Sequence, residues 1–363
     1  MLYSNFDLKS IGMKSYSVIG LMSGTSLDGV DLAHCQFSFD NHIWTFEIKA
    51  AITYPYSSVW GDKLQTAHQR SLESLNLLDE DYTSLLADYI GRFLREHELP
   101  PIDFIASHGH TVLHQPERQL TYQIGNLPKL AKLTGHKIIC DFRVEDVALG
   151  GQGAPLVPLG DRLLFGDYEA CINLGGFANI SFESKDKRIA YDICPVNKVL
   201  NPYAVSLGVE FDEGGEIAKA SVPNKKLLLK LDLLKYYSET APKSLGIEWL
   251  EAYFFPLLES SGLSSEEIMA TCTHHFAKKI ADAIHKSSRV LFTGGGTLNS
   301  YVLELIASQT QAQLIVPDAK VIHYKEALIF ALLGVLKNRE EINVLASVTG
   351  ASQNHSAGFI YLP

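Results

Sequence analysis

Residues 22–31 read MSGTSLDGVD and follow a short apolar run, Tyr16-Ser17-Val18-Ile19-Gly20-Leu21. A turn that only reverses the chain needs one glycine and one Asp or Asn. This one gathers Gly24, Thr25, Ser26, Asp28 and Gly29, a surplus of hydrogen-bonding groups that suggests a ligand. Val30 to Phe39 then reads as strand again. The same plan returns later in the chain. There a β run over Ala170–Leu174 meets the turn Asn173-Leu174-Gly175-Gly176-Phe177-Ala178-Asn179, and Ile180-Ser181-Phe182 follows. Two such hairpins suit two domains of similar plan that face each other across a cleft. Turns of small residues leave backbone N–H groups free to surround an anion such as a nucleotide phosphate. Two ordinary β-hairpins would read the same way.

Short β-type runs at Phe104–Ser107, Lys137–Cys140, Arg289–Phe292 and Gln313–Val316 alternate with helical patterns. Over 81–97, Leu85, Leu86, Tyr89, Ile90, Phe93 and Leu94 form one apolar stripe, which Pro100-Pro101 ends. A second helix opens with a capping box, Ser264-x-x-Glu267, and runs through Ile268, Cys272, Phe276, Ile280 and Ile284. A third covers 324–338. Alternation of this kind implies an α/β architecture.

The chain has 363 residues, which at about 150 per domain suggests two domains. Its net charge is −10, from 31 basic and 41 acidic residues, with no basic run. That argues against nucleic acid or an anionic membrane surface as a partner. Cys35, Cys140, Cys171, Cys194 and Cys272 form no C-x-x-C pair, so reduced thiols and a cytoplasmic location are expected. The N-terminal stretch lacks a signal-peptide core, and the apolar run Ala327–Leu336 is about half a membrane span.

Several stretches carry chemistry. Thr293-Gly294-Gly295-Gly296-Thr297-Leu298-Asn299 lies between a strand and a helix but fits neither G-x-G-x-x-G nor a Walker loop. It suits either close approach of a nucleoside to the backbone or a tight turn. Residues 140–155 hold Asp141, Arg143, Glu145 and Asp146 ahead of Gly150-Gly151-Gln152-Gly153. The carboxylates there are candidates for general acid and base, and Arg143 for a two-pronged grip on an anion. His108, His110 and His114 have an H-x-H-x-x-x-H spacing that no Cys or Glu completes as a zinc site. Substrate contact or packing is expected of them, and no metal. Asp192, in Tyr191-Asp192-Ile193-Cys194-Pro195-Val196-Asn197, stands at a strand end ahead of a proline turn. It either projects toward a ligand or caps the turn.

Taken in order, GLMSGTSLDGVD (20–31), SHGHTVLHQP (107–116), QIGNLPKLAKLTG (123–135), DFRVEDVALGGQGAPLVP (141–158), NLGGFANIS (173–181), YDICPVN (191–197), FTGGGTLN (292–299) and SVTGA (347–351) resemble the anhydro-N-acetylmuramic acid kinases. The resemblance covers nearly the whole chain. It implies the two-domain, actin-like ATPase (ribonuclease H-like) α/β fold with a nucleotide cleft between domains. An N-terminal domain over 1–137 would carry the first phosphate loop. A C-terminal domain over 138–363 would carry the second loop and the adenosine site, with the last helix free to pack back on the first domain. It implies ATP and Mg²⁺, a peptidoglycan-recycling sugar kinase, and a homodimer. The reaction would open the 1,6-anhydro bridge with water and place the γ-phosphoryl group on O6.

By the same resemblance, Gly24, Thr25, Ser26, Leu27, Asp28, Gly29, Val30 and Asp31 would line the first phosphate loop. Asn173, Gly175, Gly176 and Asn179 would form the second, and Gly294, Gly295 and Gly296 would lie by the adenosine. Asp192 would be the base. His108, Arg143, Asp146, Gly151, Gln152, Gly153 and Asn197 would meet the sugar. Three positions depart from the family pattern. Cys194 stands where Gly is usual, and K-S-T-G-R-E reads Lys243-Ser244-Leu245-Gly246-Ile247-Glu248. A nucleotide-independent glycoside hydrolase using two of Asp141, Asp146 and Asp192 is the alternative, as is a silent ATP-binding sensor.

Overall fold

The first turn does join two strands. In the computed structural model, which describes residues 13–24 and 27–363, β1 (Lys14–Ser23) pairs antiparallel with β2 (Gly29–Asp40), and β2 with β3 (Ile43–Pro55). Thr25 and Ser26 lie outside the described residues. On its other side β1 runs parallel to β4 (Phe104–Gln115), whose far half pairs with β5 (Leu120–Ile124). β4 in turn runs parallel to β6 (Ile138–Cys140). Val18, Ile19, Leu21, Phe104, Ile105 and Ala106 are fully buried, as expected of parallel strands covered on both faces.

The second turn heads a sheet of the same plan. β7 (Ala170–Leu174), β8 (Phe177–Ser184) and β9 (Lys187–Pro195) form an antiparallel meander. β10 (Arg289–Thr293) and β11 (Gln313–Ile315) add in parallel beyond β7. The first sheet thus runs β3-β2-β1-β4-β6 and the second β9-β8-β7-β10-β11, the same ribonuclease H-like order, with β5 set beside β4 and β12 (Phe359–Tyr361) closing the first sheet against β6.

The chain divides into two compact units. One holds the residues up to Gly153 with Glu326–Val344 and Ala351–Pro363; the other holds Ala154–Lys325 and Leu345–Gly350. The boundary falls after Gly153 rather than at 137/138, because β6 belongs to the first sheet, with Ile138 opposite Ile105.

In the first unit, the helix Leu72–Glu96 covers one face of its sheet through Leu75, Leu78, Tyr82, Leu86, Ile90 and Phe93. The buried run Ala327–Leu336 belongs to the helix Ala319–Asn338 and packs on the same unit's strands. Gly20 permits the approach, since a Cβ there would collide with the Ala327 carbonyl oxygen. Among the described residues no helix is long and apolar enough to cross a membrane. In the second unit, the helix Ser265–Ala283 opens with the expected capping box at Ser264 and Glu267 and buries Cys272, Phe276 and Ile280 against the sheet.

The chain leaves the second unit at Lys325, one residue after Tyr324, whose φ −115° and ψ 15° interrupt the helix. Lys325 is 4% exposed and its ammonium lies 3.1 Å from Asp161 Oδ1. Asp161 Oδ2 accepts from Ser181 Oγ at 2.5 Å, and Ser181 accepts from the buried Arg188 at 2.8 Å. Removing Lys325 leaves the buried Asp161 carboxylate, among the described residues, only the longer contact of 3.9 Å with Arg188 to offset its charge. Lys325→Met is therefore expected to cost about 3 kcal/mol, read as a lower urea midpoint at unchanged slope.

Candidate active site

In the first unit the first turn and the Arg143 region are built from neighbouring strands. Asp28 is exposed, and its Oδ1 accepts the Gly29 N–H at 3.0 Å. Leu27 lies at φ +62°, a region that favours glycine. Val30, expected at the phosphate loop, is fully buried in the core, so only its backbone is available there. Asp31 accepts from Thr53 Oγ1 at 2.6 Å, and burial raises its pKa to about 6, with the charges of Asp28 and Glu326 adding to the rise.

That shift has a consequence for stability. A raised folded-state pKa means the native state holds the proton more tightly than the unfolded chain. The contribution is full below the ordinary 3.8 and is lost as pH rises through about 6. In metal- and nucleotide-free protein, Asp31→Asn should therefore stabilise by about 2 kcal/mol at pH 7.5. The difference should vanish near pH 4, as thermal melts across pH would show.

Arg143 stands next to His108. Its Nε and Nη2 point at His108 Nε2 from 3.0 and 2.9 Å, and its Nη1 donates to the Gly153 carbonyl at 2.5 Å. Gln123 Nε2 lies 3.0 Å from the same imidazole nitrogen. Three donors on one lone pair require a neutral His108 protonated on Nδ1, which sits 2.9 Å from the Gly109 carbonyl. Burial, helped by the Arg143 charge, holds His108 well below its usual pKa. Burial also lowers Arg143 to about 10. The hydrogen-bond partners of Arg143 are neutral, and the charges of Glu326 and Asp146 partly offset the effect of burial on it.

The other histidines go elsewhere. His110 Nδ1 meets Ser23 Oγ at 2.9 Å, and His114 Nδ1 meets Thr121 Oγ1 at 3.1 Å. Asp146, expected among the sugar contacts, is fully buried and turned into its own loop. Its Oδ2 accepts the Gly153 N–H at 2.6 Å, and a Cβ on Gly151 would strike its carboxylate. Asp146 braces the Gly151–Gly153 loop, while Gln152 at the loop's tip is exposed.

In the second unit the structure brings the second turn and the triple glycine together. Thr293 pairs with Asn173 across β10 and β7. Gly294, at φ +84°, has no room for a Cβ, which would sit 2.6 Å from Asn173 Oδ1 and 2.7 Å from the Leu174 carbonyl oxygen. The register then runs Asn173 opposite Asn179 and Asn179 opposite Asp192, with Asn179 exposed. Asn197 donates its N–H to the Gly175 carbonyl at 3.3 Å, and Lys198 lays its stem over Gly176.

The expected set of open amides is only partly present. The Gly175 N–H closes the hairpin on the Phe177 carbonyl at 3.2 Å, and the Gly294 N–H bonds the Ile322 carbonyl at 3.3 Å. With the Gly29 N–H on Asp28, these three are used within the protein. Short hairpins need their own amides to close. Gly176 keeps an N–H with no hydrogen-bond partner among the described residues.

Asp192 is framed by backbone. Its Oδ2 accepts the Leu245 N–H at 2.8 Å, its N–H donates to the Lys243 carbonyl at 3.3 Å, and its carbonyl accepts Tyr236 Oη at 2.5 Å. No partner for Oδ1 is found among the described residues. Burial raises the pKa of this carboxyl, and the Leu245 N–H partly offsets the rise. One oxygen is thus held and the other is open, on a carboxyl poised to take a proton.

A family model for anhydro-N-acetylmuramic acid kinase matches residues 16–363. The chain belongs to the anhydro-N-acetylmuramic acid kinase family. Kinases of that name from Haemophilus influenzae and Pasteurella multocida are 33% and 34% identical to it, over 97% and 94% of this chain and 99% and 96% of theirs. One from Sulfurimonas denitrificans is 32% identical over 94% of this chain and 98% of its own length. As a member of the anhydro-N-acetylmuramic acid kinases, the chain is a phosphotransferase acting on an alcohol group, with a small sugar and ATP as substrates.

Of the positions that depart from that pattern, Ile247, where the pattern has Arg, is exposed. Cys194 is fully buried opposite Ala178, beside the Phe276 carbonyl, and burial pushes its thiol pKa up. The K-S-T-G-R-E position meets Asp192 through the peptide groups of Lys243 and Leu245, which any side chain supplies. Gln123, Tyr56 and the Leu245 N–H, none of them among the expected site residues, also contact site groups. Gln123 and Tyr56 carried a signal as polar residues on or beside strands; a backbone N–H carries none.

Proposed function

We propose that this kinase couples hydrolytic opening of 1,6-anhydro-N-acetylmuramic acid to phosphorylation of O6, yielding N-acetylmuramic acid 6-phosphate in peptidoglycan recycling. The observation that carries the reading is Asp192, with Oδ2 tethered to the Leu245 N–H, Oδ1 unpartnered among the described residues, and a raised pKa. Water attacking the anomeric carbon must lose a proton, and a positioned carboxylate takes it. Bond cleavage frees O6, which takes the γ-phosphoryl group.

The other residues bind and orient. Arg143 is suited to the sugar's carboxylate by a two-pronged contact, because its present partners are neutral. Asp146 acts at one remove, by holding the Gly151–Gly153 loop. The Gly176 N–H and the positive charge of Lys198 are offered to phosphate at the second turn, and the first turn to phosphate at 24–28. Mg²⁺ takes one or two carboxylates and draws its remaining ligands from phosphate and water. Asp28 and Asp31, close enough for one charge to raise the other's pKa, fit that need. Bound there, Mg²⁺ would shield phosphate charge. The family likeness alone supports a homodimer in the cytoplasm.

The test is a product assay in ¹⁸O-water with ATP, Mg²⁺ and the anhydro sugar. The reading expects label on the anomeric hydroxyl and phosphate on O6. Ring opening without ATP would instead establish a hydrolase, and nucleotide binding without product a sensor.

A further inference from the structure

Residues 351–357 come back to the Gly151–Gly153 loop. The Ser352 N–H donates to the Leu149 carbonyl at 3.1 Å, at the close of the short helix Val144–Ala148. Three residues on, His355 Nε2 lies 3.6 Å from Asp146 Oδ1, while Oδ2 of the same carboxylate is the oxygen that accepts the Gly153 N–H. Asp146 and His355 are 0% and 7% exposed, so solvent screens the contact little. The imidazole is placed from its own side. The Val344 N–H donates to the His355 carbonyl at 3.1 Å, and the His355 N–H to the Val344 carbonyl at 3.3 Å. Beside that bridge the fully buried Asn343 accepts the Ala357 N–H at 2.7 Å and donates to the Ala357 and Leu333 carbonyls at 2.9 and 3.1 Å.

The ring's direction follows from its other nitrogen. His355 Nδ1 stands 3.1 Å from the Gln353 carbonyl, which can only accept, so Nδ1 carries a proton and Nε2 faces the carboxylate. When Nε2 is protonated as well, it attracts Asp146 as a charged donor. What Asp146 holds reaches the arginine in two steps. Its Oδ2 accepts the Gly153 N–H at 2.6 Å, and the Gly153 carbonyl accepts from Arg143 Nη1 at 2.5 Å. One residue is thus gripped at its N–H by the carboxylate and at its carbonyl by the guanidinium. A carboxylate free to turn would let both shift, and misplacement of a binding group by about 1 Å can cost about 100-fold.

We propose that His355 is a positioning residue for the sugar: by fixing the Asp146 carboxylate it sets Gly153, and through Gly153 the guanidinium of Arg143, without touching substrate. The proposal rests on reading Arg143 and the Gly151–Gly153 loop as the sugar's contacts. His355→Ala keeps the backbone bridge to Val344, which any residue supplies. In the full chain it is expected to weaken binding of 1,6-anhydro-N-acetylmuramic acid about tenfold, read by titration calorimetry, and to leave the KM for ATP within about twofold. His355→Gln puts an amide N–H near the place of Nε2 and should recover most of the loss. In an Asp146→Asn background, His355→Ala should weaken sugar binding by no more than about twofold further, because the carboxylate it acts through is gone.

A purely structural role would lower the melting temperature, weaken sugar and ATP alike, and repeat the full loss in the Asp146→Asn background; that result overturns the proposal. Arg143→Met separates the two layers. If that protein binds the sugar as wild type does, the reading of the pocket fails and the proposal with it. If it binds the sugar poorly while His355→Ala binds it as wild type does, the reading stands and only the proposal fails.

Discussion

Asp192→Asn is expected to lower kcat by about 10³-fold or more while leaving the affinity for ATP unchanged. The amide oxygen of Asn can accept the Leu245 N–H in place of Oδ2, so the backbone frame at 2.8 Å survives the change. What is lost is the ability to take a proton, which in positioned general bases is worth about 10²–10⁴ in rate. The wild-type pH profile should carry the same signature. A base works ionised, and burial raises this carboxyl, so the acid limb of kcat/KM should lie above the ordinary 3.8 of an aspartate. The limb should be absent from the residual activity of the variant. If Asp192→Asn turns over normally, the base is elsewhere, and Asp141, also raised by burial to about 6, becomes the first residue to change.

Arg143→Met should raise the KM for the anhydro sugar about 100-fold and leave that for ATP within about twofold. Hydrogen bonds to charged groups contribute about 1.5–3 kcal/mol, and a two-pronged contact lies at the upper end. Arg143→Lys should recover little, because an ammonium cannot reproduce the planar fork that now spans His108 and Gly153. The sugar's methyl ester makes the assignment specific. Wild-type enzyme should bind it about as poorly as the variant binds the acid, and the variant should not distinguish acid from ester. A variant that still prefers the acid would place the carboxylate contact on another residue.

Much of the scaffold was legible because it depends on local pattern. Ala170–Leu174 is a strand over the expected residues, and Ser264 and Glu267 close the capping box that their spacing predicts. The repeat of strand, glycine turn and strand marks two sheets that share one strand order. The strand Ile43–Pro55 was missed because its polar residues lie on an outer strand, and a register shift at His34/Cys35 disturbs the pairing beside it.

Residue order alone sets the chemical types at the site: two glycine-rich turns, the first also rich in hydroxyls, an arginine, and an aspartate at a strand end. Which of those groups are available depends on the folded packing. Asp146 and Asp192 look alike as letters, yet one carboxylate is spent on the Gly153 N–H and the other keeps an oxygen unpartnered among the described residues. The glycine amides divide in the same way, with those of Gly29, Gly175 and Gly294 bonded inside the protein and that of Gly176 unpartnered among the described residues. The reason is physical. A side chain's chemistry belongs to its own residue, but whether a lone pair or an N–H is open depends on what packing brings within about 3 Å of it.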